Sequence, residues 1–459
     1  MKLKLQLPSI KQFFFILLLF IYIYAPPFNF LPLGINKLLA PLALVSLLFF
    51  FKSTTLKILQ QKHLFIAICL LMVSILYALI IDTSTIHQTN FAFTQKNTFS
   101  QAMILIEVLP LTLFLCIFGI RKLKLSFANL LSNLVFIASI QSFLAIIMLL
   151  LPDLRMFILT TILNYDPSQD KIFRPDLYVF RSFGFSQDIL FSLSVVQGIA
   201  VVCILSLCLF NFAKYKYYLF LIPPLLLSIA LNARIGFIAI ILFALITLVF
   251  NLLKLKVYLI SKFILFLGIS SLFIYLSIIN LGFFLELDIE QNIGWASDIF
   301  VQGKNFAQGE TTNTGNFGKI QRKHLHLPES REGRIFGEGR YVYQNPKGSV
   351  ISDAGYVRRI YFGGYIYSFL AYSALIYIFI GSQGKRQGNT FKPLFYALIL
   401  TALISQIKGD IFLPIPGFRI IFLILIFAIS ERRLNKPISP QINSRFIPWY
   451  PHETPNLRP

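Results

Sequence analysis

Long runs of apolar residues, separated by short polar segments, recur along almost the whole chain. A helix needs about 20 apolar residues to cross the hydrocarbon core of a bilayer. Twelve runs approach that length, and they lie near residues 12–25, 31–51, 64–81, 101–119, 127–151, 188–211, 217–231, 234–253, 258–285, 359–381, 393–411 and 414–430. The pattern therefore predicts an all-α polytopic membrane protein with about twelve transmembrane helices.

The two ends of the chain do not follow the pattern of one transmembrane span after another. The start, "MKLKLQLPSIKQFFFILLLFIYIYAPPF", has the basic head and apolar body of a signal peptide. No small-residue cleavage site follows and a second apolar run begins at once, so we predict a retained first helix. The end, residues 432–459, is rich in proline and weakly apolar, which predicts a flexible cytoplasmic tail after a transmembrane domain of residues 1–431.

Composition and charge support this class. Of the 459 residues, 56% are hydrophobic and 13% are charged, and the formal net charge is +22. An excess of basic over acidic residues can indicate nucleic-acid binding. Here, however, lysine and arginine concentrate in alternate loops, as expected when the positively charged loops remain in the cytoplasm. Both termini are then cytoplasmic, no nucleic acid is expected as a partner, and three polar segments lie outside: residues 82–100, 152–187 and 286–358. The last, between spans nine and ten, should contain short helices and loops.

Several kinds of site have no support in the sequence. There is no glycine-rich phosphate loop before a lysine and no helical histidine pair. The four cysteines lie inside apolar spans and are expected to be small buried hydrophobes. His324 and His326 alternate with leucine, but a metal would need further ligands that we do not find, so surface histidines are the preferred interpretation. We expect neither a metal nor a cofactor.

Ionisable residues at the outer ends of spans are the best candidates for chemistry. They fall in four groups: Arg174, Arg181 and Asp188; Arg234; Lys408, Asp410 and Arg419; and Asp353, Arg358 and Arg359. Each could simply anchor its helix to lipid headgroups, but the whole set should lie on one side of the membrane at similar depth. Glu107 lies deeper in a span, where it is functional, protonated or paired with a structural partner.

A set of outward cations suits one kind of ligand. Guanidinium groups bind phosphate oxygens through two parallel hydrogen bonds, so several arginines at the outer interface suit a pyrophosphate whose lipid tail lies between helices. Cations would stabilise the charge that develops on such a leaving group. A carboxylate such as Asp353 could remove the proton of an attacking hydroxyl.

Four short motifs resemble those of bacterial O-antigen polymerases of the Wzy type, relatives of the O-antigen ligases. The matching segments are "RSFGFSQDILFSL" from Arg181, "LNARIGFIAI" with Asn232, Arg234 and Gly236, "RIFGEGRYVY" with Gly337 and Gly339, and "SDAGYVRRIYFGGYIYSFL" with Asp353, Arg358, Gly363 and Gly364. Where the ligases usually have a histidine-asparagine step, this chain has Ser352-Asp353, which favours the polymerases.

The resemblance implies a metal-independent glycosyltransferase of the bacterial inner membrane. It would move a growing glycan from undecaprenyl pyrophosphate onto the next lipid-linked repeat unit, for O-antigen, capsule or exopolysaccharide. We assign Arg234 and Asp353 to catalysis, and the substrate-binding residues to Arg181, Arg358, Arg174 and Lys408. Expected partners are lipid-linked oligosaccharides, membrane lipids and a chain-length regulator. An O-antigen ligase, or a flippase for lipid-linked oligosaccharides, is the alternative.

Overall fold

The structure is a computed structural model, and it describes residues 9–31, 34–85, 95–165, 182–186, 191–233, 235–252, 268, 327–339, 342–345, 348–351, 354–384 and 390–435. These residues are almost entirely helical. In the first half of the chain the α-helices are α1 (Ile10–Tyr24), α2 (Ile35–Phe49), α3 (Lys52–Leu59), α4 (Lys62–Thr85), α5 (Gln95–Met103), α6 (Leu109–Arg121), α7 (Phe127–Leu150) and α8 (Pro152–Phe157). A π-helical segment at Ile104–Val108 joins α5 to α6, and a second one at Ile158–Ile162 follows α8.

The second half continues the helical pattern. Its α-helices are α9 (Phe191–Phe210), α10 (Phe212–Tyr215), α11 (Ile222–Asn232), α12 (Gly236–Leu252), α13 (Arg331–Phe336), α14 (Gly355–Ser382), α15 (Lys392–Ser405) and α16 (Pro416–Leu434), with a 3-10 helix at Lys216–Leu221 before α11. One antiparallel hairpin, β1 (Val342–Asn345) and β2 (Gly348–Ile351), pairs Val342 with Ile351. The hairpin was not anticipated, although β-branched and aromatic residues flank the turn-forming "NPKG".

Helices occur at eleven of the twelve predicted positions, and the predicted span near 258–285 lies outside the described residues. Among the described helices, five are long and apolar enough to cross a membrane: Lys62–Thr83, Gln101–Arg121, Phe127–Leu150, Phe191–Phe210 and Gly355–Ser382. A sixth results if α2 and α3 count as one span, although the chain bends by 98° between them. The protein is therefore a helical membrane protein by length and composition.

Helix α16 is the central element of the bundle. All residues from Pro416 to Ser430 are buried, on every face of the helix. A helix that is apolar all round is surrounded by protein or by lipid, and α16 is surrounded by protein, since it packs against α1, α3, α6, α7, α9, α14 and α15. The Glu431 carboxylate near its end accepts a hydrogen bond of 3.0 Å from the Phe127 N–H at the start of α7. This contact aligns the end of α16 with the beginning of α7.

Candidate functional site

Two of the six predicted site residues fall within the described residues. Arg358 lies in the first turn of α14 and is half-buried, and Lys408 is exposed in the turn after α15. Asp353, Arg234, Arg181 and Arg174 lie outside the described residues. Arg358 and Lys408 can therefore be located directly, and for the other four only the described residues near them in sequence can be located.

The start of α14 lies directly on the turn after α15. The Gly355 N–H donates a hydrogen bond of 2.7 Å to the Gln406 carbonyl, and the Tyr356 hydroxyl donates one of 2.6 Å to the Leu403 carbonyl. A Cβ atom on Gly355 would lie 2.8 Å from the Asp410 Cα, so only glycine fits this close approach. The contact brings the helix that carries Arg358 onto the turn that carries Lys408.

Helix α9 contacts the same turn from another side. The Gly417 N–H donates a hydrogen bond of 2.6 Å to the Ser192 Oγ, and a Cβ atom on Gly409 would lie 3.1 Å from the Phe191 ring. Ser192 therefore satisfies one of the backbone donors that the first turn of α16 would otherwise leave without a partner. The contact joins the beginnings of α9 and α16.

One turn further along α9, the helix contacts the beginning of α12. A Cβ atom on Gly236 would overlap the Ser194 carbonyl, and one on Gly198 would overlap the Gly236 carbonyl. These glycines allow the two backbones to touch, as small residues do between membrane helices. Gly236 is two residues after Arg234 in the sequence, and Arg234 itself lies outside the described residues.

We call this set of contacts the junction, and it comprises residues 191–198, 232–233, 235–236, 354–359 and 405–417. The junction includes described residues that are next in sequence to Asp353 and others that are within two residues of Arg234. It also includes Arg358 and Lys408. The residues that the sequence singled out on three separate segments therefore have described neighbours in one contact region. Arg174 has no described neighbour within several residues.

The segment that follows Arg181 is held inside the bundle. Gln141 of α7 donates a hydrogen bond of 2.7 Å from its amide nitrogen to the Phe183 carbonyl, and its amide oxygen accepts one of 3.2 Å from the Phe185 N–H. Gly184 lies between them with φ 55°, and a Cβ atom there would lie 2.6 Å from the Gln141 amide. This glutamine was missed by the sequence reasoning; a buried amide in an apolar span was the available signal.

A buried ion pair lies at the centre of the junction. The Arg359 Nη2 and Nε donate to the Asp410 Oδ1 at 2.9 and 3.1 Å, and Nη2 also donates to the Phe412 carbonyl at 2.8 Å. The guanidinium carbon lies 5.7 Å from the ring centroid of Tyr367 and 5.2 Å from that of Phe412. Arg359 thus has a carboxylate partner inside the protein, which makes it an organiser of the junction rather than a primary phosphate ligand.

A second buried ion pair resolves the role of Glu107 that the sequence left open. The Arg419 Nη2 donates to the Glu107 Oε1 at 2.7 Å, and both side chains are almost fully buried. Glu107 lies in the π-helical segment just before Pro110, whose ring and missing N–H disturb the regular helical ladder. The widened turn lets a carboxylate from this segment reach α16. Glu107 is therefore paired with a structural partner.

The segment 327–339 of the predicted outer loop docks on a break in α14. Gly364 interrupts this helix with φ 67° and ψ −167°. The carbonyls of Tyr361 and Phe362, just before the break, accept hydrogen bonds from the N–H groups of Glu338 at 2.7 Å and Gly339 at 3.0 Å. The glycines of "FGEG" and of "FGGY" belong to two separate motifs in the sequence, and in the structure they form one contact.

The junction combines features that suit an anionic ligand. Asp410 and Glu107 neutralise Arg359 and Arg419, and Lys408 presents an exposed ammonium group in the turn after α15. A cationic surface supported by fixed buried ion pairs can bind phosphate without moving its supports. No family model, no curated protein and no solved structure matches this chain.

Proposed function

We propose that the protein is a polysaccharide repeat-unit polymerase. It transfers a growing glycan from undecaprenyl pyrophosphate to an incoming lipid-linked repeat unit. The observation that carries the proposal is the junction: the described residues beside Asp353 and Arg234 belong to the same contact region as Arg358 and Lys408. An active site for a lipid pyrophosphate needs several cations and one base within reach of a single substrate.

The proposal includes a topology finer than the described helices. It has twelve spans in the bacterial inner membrane, cytoplasmic termini, and residues 286–358 as a periplasmic loop. Support comes from the alternate placement of the lysines and arginines and from helices at eleven predicted positions. The periplasm supplies no nucleotide sugars, so a transferase on that face draws its donor from a lipid-linked pyrophosphate.

Each site residue has a role in the proposed reaction. Arg181 and Arg234 bind the pyrophosphate, with Arg174 and Lys408 as further phosphate contacts and Arg358 as a phosphate or sugar contact. Asp353 accepts the proton of the acceptor hydroxyl as its oxygen bonds to the anomeric carbon of the donor glycan. The bond from that carbon to the pyrophosphate breaks, and the lipid pyrophosphate leaves with the electron pair.

The arginine assignment is tested with Arg234→Ala. Removing one charge-stabilising donor slows transfer by roughly 10²–10³-fold, by analogy with the loss of an oxyanion donor, so long glycan chains disappear. Polysaccharide electrophoresis measures chain length, and membrane fractionation checks insertion. Lys62→Ala is the control because Lys62 is exposed at the start of α4, outside the junction. Normal long chains from Arg234→Ala would remove this residue from the site.

The base assignment is tested separately with Asp353→Asn. The amide keeps the size of the side chain but accepts no proton, so chain growth should stop while the protein remains folded in the membrane. Near-complete activity would show that the carboxylate only anchors the loop before α14.

One observation favours the flippase alternative. Discontinuous helices and buried ionisable residues are common at the binding sites of transporters, and α14 is broken at Gly364 while Glu107 pairs with Arg419. A flippase predicts that a deletion strain accumulates lipid-linked units in the inner leaflet. The polymerase predicts that those units reach the outer leaflet and remain single.

A further inference from the structure

Gln197 of α9 is a fully buried amide that no described contact explains. Its exposed fraction is 0%, and neither its amide nitrogen nor its amide oxygen has a hydrogen-bond partner in the part of the chain that the structure describes. Buried polar groups in native proteins are nearly always hydrogen-bonded. An amide left without partners in the middle of a membrane helix therefore points to a bound polar group.

The neighbours of α9 define the direction in which Gln197 points. Ser194 and Gly198 contact Gly236 of α12, whereas Ser192 and Val195 contact Gly417 of α16. At about 100° per residue, Gln197 lies roughly 60° from Ser194, on the side opposite Val195. Because α11 and α7 are the remaining neighbours with extensive packing against α9, Gln197 faces this side of the bundle.

Helix α11 presents two more unsatisfied polar groups at the same depth. The Ile229 side chain of α11 lies 3.0 Å from the position that a Cβ atom on Gly236 would take. Gly236 in turn touches α9 at Gly198, the residue after Gln197. Ser228 and Asn232, four residues apart on one face, are buried. The Asn232 amide nitrogen donates to the Ser228 carbonyl at 2.8 Å. The Asn232 Oδ1 and the Ser228 Oγ have no partner among the described residues.

We propose that Gln197, Ser228 and Asn232 form a subsite for a sugar hydroxyl of the lipid-linked substrate; this inference rests on the proposed function. The three side chains leave both donors and acceptors unsatisfied. A phosphate offers only acceptors and would leave the oxygens of Gln197 and Asn232 without a donor, whereas a hydroxyl donates to one of these oxygens and accepts from the Gln197 amide nitrogen or the Ser228 hydroxyl. Gln197 and Asn232 belong to the junction, so the subsite selects the sugar unit that binds where α9 and α12 touch.

Binding to the purified full-length protein in lipid nanodiscs tests the subsite. The two probes are an undecaprenyl-pyrophosphate-linked oligosaccharide extracted from the source strain and undecaprenyl pyrophosphate without sugar, both measured by native mass spectrometry. Gln197→Leu keeps the approximate size but removes the amide. It should weaken binding of the sugar-bearing lipid roughly five- to tenfold, the loss expected for about one hydrogen bond, and leave binding of the sugarless lipid unchanged.

Ser206→Ala is the matched control. Ser206 lies on the same helix, is 1% exposed and has no partner among the described residues, but it is nine residues away from Gln197 toward the end of α9. This variant should bind both probes like the wild type. Ser228→Ala, which removes a single hydroxyl, should show a smaller loss for the sugar-bearing probe and serves if Gln197→Leu fails to fold.

The outcomes separate the two proposals. If the wild type binds the sugar-bearing lipid and Gln197→Leu and Ser228→Ala bind it equally well, the amide holds only a buried water and the subsite is overturned while the polymerase remains. An equal loss for both probes in Gln197→Leu also overturns the subsite, because the effect is then not on the sugar. If the wild type binds neither probe, the proposed function fails and the subsite fails with it.

Discussion

The docking of segment 327–339 on the break in α14 makes the sharpest prediction about the fold. Gly364→Ala places a Cβ atom where it would overlap the Ile335 carbonyl, on a backbone with φ 67° and ψ −167° that residues other than glycine avoid. Such strain costs about 1–3 kcal/mol. The nearby hydrogen bonds from Glu338 and Gly339 contribute about 0.5–1.5 kcal/mol each and are lost if the segment detaches.

The substitution should therefore destabilise the protein by about 1–3 kcal/mol if the segment stays docked, and by about 2–6 kcal/mol if it detaches. Thermal unfolding in detergent measures the loss, and limited proteolysis within residues 327–339 measures detachment. Gly34→Ala is the control because nothing lies within 4 Å of a Cβ atom at Gly34. It should change stability by less than about 0.5 kcal/mol.

A second glycine allows the contact itself to be tested. A Cβ atom on Gly337 would lie 2.6 Å from the Gly363 Cα, and Gly337 has φ 86°. If both substitutions detach the same segment, Gly337→Ala should add little to Gly364→Ala, because residues in one contact are not additive. Wild-type stability and protease resistance in Gly364→Ala, or fully additive losses in the double variant, would refute the reasoning.

The two buried ion pairs and one hydrogen bond give three further predictions. Arg359→Met leaves the Asp410 carboxylate buried without its cation and should cost about 3–5 kcal/mol of stability. In a thermal-stability cycle, adding Asp410→Leu should recover much of that loss. Simple additivity of the two losses of stability would contradict the pairing. Glu107→Gln leaves Arg419 without its carboxylate and should destabilise by a similar amount, with Arg419→Met restoring stability. Ser192→Ala removes the acceptor of the Gly417 N–H and should cost about 1 kcal/mol, and an unchanged melting temperature would contradict that hydrogen bond.

The apolar pattern predicted most helix positions because a lipid environment demands long apolar segments whose backbone hydrogen bonds are internal. It placed helices near 127–151 and 188–211, for example, where α7 and α9 lie. The same pattern ends one span near residue 51, and the chain bends there by 98° between α2 and α3, but the pattern did not predict this bend. A run of apolar residues contains no information about where neighbouring helices let it turn.

The site was less accessible to sequence reasoning, since its contacts join distant segments. Glu107 and Arg419 stand out as charges in or beside apolar runs, yet they are 312 residues apart and nothing local pairs them. Gly363 and Gly364 stood out in the sequence only as part of a motif, which did not predict a break in the helix. Only the docking of residues 337–339 explains why the break falls there. Gln141 and Gln197 are amides within apolar spans, and what each of them faces depends on packing.

Glycan analysis of a strain that lacks this protein tests the central claim most directly. The proposed polymerase predicts that the lipopolysaccharide or capsule carries a single repeat unit, and that wild-type protein restores long chains while Arg234→Ala does not. Long chains in the deletion strain would contradict the proposal. A complete absence of glycan on the core would indicate a ligase instead, and lipid-linked units retained in the inner leaflet would indicate a flippase.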